Sequence, residues 1–72
     1  MIIRVRKQDS AYLYQILESY EGLTNYSTLT EEKGLPYRDI QLHFSPELLP
    51  LLKTVLERLK SEIEVEVLSA SN

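Results

Sequence analysis

Seventy-two residues make one domain, near the lower size limit for a core that holds together without disulfides, metal or a partner chain. Apolar residues are 43% and charged residues 26% of the chain, a globular balance that argues against intrinsic disorder, and a net charge of −3 gives no general attraction to nucleic-acid phosphates or anionic lipid. Cysteine is absent, which excludes disulfides, thiolate nucleophiles, iron–sulfur ligation and thiolate zinc sites.

The N-terminal stretch MIIRVRK lacks the apolar core of a signal peptide, and no stretch approaches the length of a membrane span, so a cytoplasmic protein is expected. Within it, Ile3 and Val5 alternate with Arg4 and Arg6, the pattern of a strand covered on one face, over residues 1–7. Asp9 or Ser10 then offers a cap to a helix over 10–21, whose apolar residues Leu13, Ile16, Leu17 and Tyr20 recur at three- and four-residue spacing. Tyr12 and Tyr14 border that stripe, where a ring can be buried while its hydroxyl stays wet. Gly22 falls where a helix commonly ends in a left-handed conformation, and Leu23 can fold back onto the helix.

LTNYSTLT is rich in β-branched and aromatic residues and predicts a strand over 23–30 with neither row wholly apolar, as on a sheet edge. EEKGLP supplies a loop or wide turn. The strand over 37–44 is the cleanest, with Ile40, Leu42 and Phe44 on one face and Asp39, Gln41 and His43 on the other. Ser45 and Pro46 open a helix over 46–62 with Leu48, Leu52, Val55, Leu56, Leu59 and Ile63 on one side. Pro50 predicts a tightened first turn or a helix that starts there. EVEVL closes the chain as a strand over 64–69, Val65 and Val67 inward, Glu64 and Glu66 outward.

The resulting order, β-α-β-β-α-β in a single domain over 1–72, predicts an α+β ferredoxin-like two-layer sandwich: a four-stranded antiparallel sheet with two helices on one face. In it the first strand lies between the third and fourth. Opposing Arg4 to Glu66 and Arg6 to Glu64 keeps one register and sets opposite charges across from each other on the open face.

Few residues carry chemistry. His43, the only histidine, would need an activated hydroxyl beside it for nucleophilic catalysis, or more ligands than Asp39 and Glu66 for zinc. Carboxylates such as Glu18, Glu21, Glu57 and Glu62 are spread along solvated faces rather than paired across a cleft, and the adjacent Glu31 and Glu32 are too few for a divalent cation. Glycines stand alone at 22 and 34, so no phosphate cradle is encoded. Sheets of this order bind single-stranded RNA through aromatics on the open face, whereas Arg4, Arg6, Asp39, Gln41 and His43 offer no stacking platform. Five tyrosines, Tyr12, Tyr14, Tyr26 and Tyr37 among them, suit either the rim of a small core or a protein interface, and Leu51 lies off the main stripe of its helix.

The block AYLYQILESYEGL, with the strand after it, resembles a small bacterial family known as domain-of-unknown-function family 4911, ILESYEGL being the specific part. The resemblance implies a bacterial source and brings no activity with it. More widely the chain is similar to ACT regulatory domains, which share the element order, pair through sheets or helices and bind amino acids near the first strand-to-helix loop. That loop here is RKQDSAYL: Asp9 stands about where such domains often carry an acidic residue, while Ser10-Ala11 replace their usual glycine.

The leading expectation is therefore a non-enzymatic interaction or regulatory module. It would form a homodimer or dock on a partner protein through its open sheet face or edge strand, with Arg4, Arg6, Tyr26, Gln41, His43, Glu64 and Glu66 at the interface. The alternative, implied by the ACT resemblance, is a small-ligand sensor using Asp9, Ser10, Gly22 and Thr24. A small hydrolase using His43 ranks third. No cofactor, metal, nucleic acid or membrane is expected.

Overall fold

Alternation in IIRVR forms strand β1, Ile2–Arg6, with Ile3 and Val5 buried and Arg6 exposed. The computed structural model describes residues 1–29 and 34–70; the Glu31–Glu32 pair and the end of the second expected strand at residue 30 lie outside them. Helix α1 spans Ser10–Ser19 and strand β2 Asn25–Thr28. Strand β3 runs Tyr37–His43, helix α2 Leu49–Lys60 and strand β4 Val65–Ser69.

The four strands form one sheet in the order β2-β3-β1-β4, and all three neighbouring pairs are antiparallel. β1 thus lies between β3 and β4, as the element order predicts. Arg4 faces Glu66, but β4 begins at Val65 opposite Val5, and the registered partner of Arg6 is Tyr37 on β3. A bulge follows on β4, where Val67 opposes Ile3 and Ser69 opposes Ile2, leaving Leu68 as the extra residue.

One buried cluster joins Ile3, Val5, Ile40 and Leu42 of the sheet to Leu13 and Leu17 of α1 and to Leu52, Val55, Leu56 and Leu59 of α2. Both helices therefore cover the same side. Met1 and Leu23 complete the cluster, and Tyr14, Ile16, Tyr20, Phe44, Leu48 and Ile63 pack against it half-buried.

The ends of the helices depart from the sequence expectation in an instructive way. A 3-10 turn, Lys7–Asp9, precedes α1, and Asp9 makes no side-chain capping bond. The Ser10 amide instead donates to the Lys7 carbonyl within the 3-10 turn, so a backbone oxygen supplies the acceptor that a cap would have offered, and the hydroxyl of the buried Ser10 donates to the same carbonyl at 2.8 Å. A second 3-10 turn, Pro46–Leu48, precedes α2, again with no side-chain cap from Ser45. It is the tightened entry that Pro50 demands, since a proline in the first α turn has no N–H to leave orphaned. Gly22 has φ +79°, and beyond it the Leu23 amide donates to the Tyr20 carbonyl at 3.0 Å, carrying the Leu23 side chain into the core.

Candidate functional site

Helices cover one side of the sheet, so the other side is the large surface left to the strands. Reading the ladders across it gives rows: Asp39, Arg4 and Glu66; Ser27, Gln41, Ile2 and Ser69; Tyr37 with Arg6; and His43 with Asn25. Expected interface residues Arg4, Arg6, Gln41, His43 and Glu66 lie together on this bare side. Exposed Glu64 stands just before β4.

Arg4 is the hub. Its Nε donates to Asp39 Oδ1 at 2.8 Å and an Nη to Oδ2 at 3.1 Å, a bidentate fork, while its guanidinium carbon lies 3.9 Å from the centre of the Tyr37 ring. The hydrogen bond to Asp39, with the nearby charges of Asp39 and Glu66, raises the Arg4 pKa further above its ordinary value. The sequence reading paired Arg4 with Glu66. Arg4 does stand opposite Glu66, though Arg6 has no partner in Glu64, and the ion pair goes to the other neighbour; among the described residues neither Glu64 nor Glu66 makes an ion pair. Tyr37 is the bare-face aromatic that the sequence reading overlooked. Alternation from Asp39 and Gln41 could have found it, because Tyr37 is two residues before Asp39.

Tyr26 sits elsewhere. It is on the edge strand β2, but its registered partner is buried Leu42, so it belongs to the helix side. There its ring stacks on Tyr14 with centroids 4.7 Å apart and planes 7° from parallel. Its hydroxyl donates to Glu18 Oε1 at 2.6 Å, which, with desolvation, pushes the Tyr26 pKa up to about 12. The Tyr14 hydroxyl meets Thr28 Oγ1 at 2.7 Å. Tyr12 donates to Glu62, a bond that raises the Tyr12 pKa. Three of the tyrosines thus fasten α1 to its surroundings.

The residues expected to hold a small ligand are divided between the two ends of the sheet. Asp9 lines an open hollow of about 850 Å³ shared with Arg4, Arg6, Tyr37, Lys60 and Glu64, whereas Gly22 and Thr24 line one of about 330 Å³ with His43, Phe44 and Ser45. Tyr37 and His43 mark these ends, and a strand of that length separates them by about 20 Å at about 3.3 Å per residue. Ser10 is buried and lines neither hollow. The Thr24 hydroxyl donates to the His43 carbonyl at 2.8 Å, tying the start of β2 to the end of β3. Among the described residues no three metal-ligating side chains gather, and no helix is long and apolar enough to cross a membrane.

A family model described as Domain of unknown function (DUF4911) matches residues 3–63. No curated protein and no solved structure matches the chain.

Proposed function

The chain belongs to the DUF4911 family, whose description names no activity, and we propose that it is a non-enzymatic docking module of ferredoxin-like architecture. It pairs with a second copy or another protein through the bare side of its sheet and the adjoining edge. The antiparallel order β2-β3-β1-β4 with β1 between β3 and β4 supports the ferredoxin-like reading. The observation that carries the docking reading is the one-sided covering of the sheet by both helices. That leaves a surface where Arg4 is already neutralised by Asp39 and backed by Tyr37. Burying that pair costs less than burying two free charges, because each partner is in place before any other molecule arrives.

Sedimentation velocity over a concentration series, with Gln41→Lys as the bare-face variant and Lys53→Glu as the helix-face control, tests this reading. A concentration-dependent dimer abolished only by Gln41→Lys supports pairing of copies. A monomer at every concentration removes that arm. Docking on another protein then requires captured material that Gln41→Lys loses and Lys53→Glu keeps; capture that both variants retain refutes the bare side as the surface.

A second reading, an ACT-like small-ligand sensor, is favoured by one observation, the hollow beside Asp9 at the exit of β1. A thermal-shift screen against amino acids separates it from docking. Stabilisation lost in Asp9→Asn supports it, and indifference to every amino acid refutes it.

A further inference from the structure

We propose that the outer edge of β4 accepts an extended segment of a partner protein bearing basic residues at alternate positions, added as a fifth strand. The proposal rests on the docking reading above and names the chemistry of the partner.

β4 is an edge of the sheet. The Leu42 amide donates to the Met1 carbonyl and the Lys7 amide to the Pro36 carbonyl, so odd-numbered residues of β1 turn their backbone groups toward β3. Alternation turns Arg4 toward β4 and its partner Glu66 back toward β1. Val65 and Val67 therefore direct their N–H and C=O groups out of the sheet, where an added strand would find them.

The side chains of this edge are sorted in the same way. Val67 lies on the helix side opposite fully buried Ile3, yet is itself 39% exposed. Glu66 belongs to the bare side and exposed Glu64 stands just before the strand; neither makes an ion pair among the described residues, Arg4 being held by Asp39. Across the sheet the row Asp39, Arg4, Glu66 alternates negative, positive, negative. The next strand continues the alternation with a positive residue, and with an apolar one beside Val67. Leu68, exposed and extra at the bulge, limits the usable edge to Glu64–Val67 and offers apolar surface to the stem of a lysine or arginine.

Charge also separates this partner from a second copy. Pairing β4 with its own twin about Val67 would set Glu66 diagonal to the twin glutamate at about 7–8 Å, where like charges repel.

The test uses the full chain and a capped peptide of about seven residues alternating valine and lysine, with the valine–glutamate peptide as control. Binding and amide exchange are followed by NMR. The expected result is slowed exchange at Val65 and Val67 with the lysine peptide alone, weakened about tenfold by Glu64→Gln with Glu66→Gln, and weakened by salt. Equal binding of both peptides, protection at β2 instead, or no binding overturns the proposal. Protection of Val65 and Val67 that rises with protein concentration in the absence of peptide assigns the edge to a second copy and also overturns it. A Gln41→Lys-sensitive association that leaves Val65 and Val67 unprotected sinks the edge proposal while sparing the docking reading; loss of both sinks both.

Discussion

Replacing Val5 and Val67 by alanine, one at a time, compares the same chemical deletion at two places on the β1–β4 ladder. Val5 is 1% exposed and Val67 39%. Removing two methyl-sized groups from a buried site forfeits about 1.6 kcal/mol of transfer free energy at about 0.8 each, and the cavity left behind raises the loss to about 2–3 kcal/mol. At Val67 the transfer loss shrinks with its exposure to about 1 kcal/mol, and an open site fills with water instead of leaving a void. A domain of this size has about 4–11 kcal/mol in hand, so the Val5 change removes a large fraction and the Val67 change a small one. Urea unfolding followed by circular dichroism, with unchanged denaturant dependence, reads both losses. Equal losses at low protein concentration would refute the placement of Val67 on an uncovered edge. A Val67 loss that grows with protein concentration would mean that a second copy covers it.

Gly22→Ala meets no atom within 4 Å of the added Cβ, so only the φ of +79° opposes it; the expected loss is about 1 kcal/mol, read as a lower Tm, and more than about 2 kcal/mol would contradict that geometry. The Tyr26 phenol, raised to about 12 by its bond to Glu18, favours the protonated form in the fold. Its contribution is fully present below the ordinary tyrosine pKa near 10 and disappears as pH rises through about 12; phenolate absorbance should show Tyr26 titrating late alongside the raised Tyr12, and Glu18→Gln should remove the Tyr26 delay while leaving that of Tyr12. In double-mutant cycles on urea stability, Arg4→Gln should couple more strongly to Asp39→Asn than to Glu66→Gln, and the reverse order would remove the unpaired carboxylates from the β4 edge.

Strands and helices were legible because their periods differ: IIRVR repeats every two residues, whereas Leu52, Val55, Leu56 and Leu59 recur as a helix requires. Gly22 was legible because few residues tolerate its φ. The caps were not, since a 3-10 turn satisfies amides through backbone groups that every residue carries, and neither Asp9 nor Ser45 is then needed as a side-chain acceptor. Tyr26 was ambiguous for another reason. Both rows of β2 are mixed, so periodicity could not say that Tyr26 pairs with Leu42 on the helix side; the stack on Tyr14 decides its face, and that contact joins residues of different elements.

The bare side shows the same limit more sharply. Opposite charges predict a register, and Arg4 does oppose Glu66. A central strand has two neighbours, however, and the row that holds Arg4 offers it a carboxylate on each. Sequence alternation treats the two as equivalent. Geometry does not: Asp39 is on the interior strand β3, its side chain only 20% exposed, and Tyr37 on that strand lays its ring 3.9 Å from the guanidinium. A short carboxylate that accepts both arms of the fork and a ring face on the same strand together outweigh a longer, exposed glutamate on an edge. Arg4 gives its Nε and one Nη to Asp39 and makes no ion pair with Glu66 among the described residues, which leaves the Glu66 charge on the edge strand. The charge of the β4 edge is therefore set by a residue that is not on that edge, and Arg4→Gln should alter basic-peptide binding there even though it removes no group from β4.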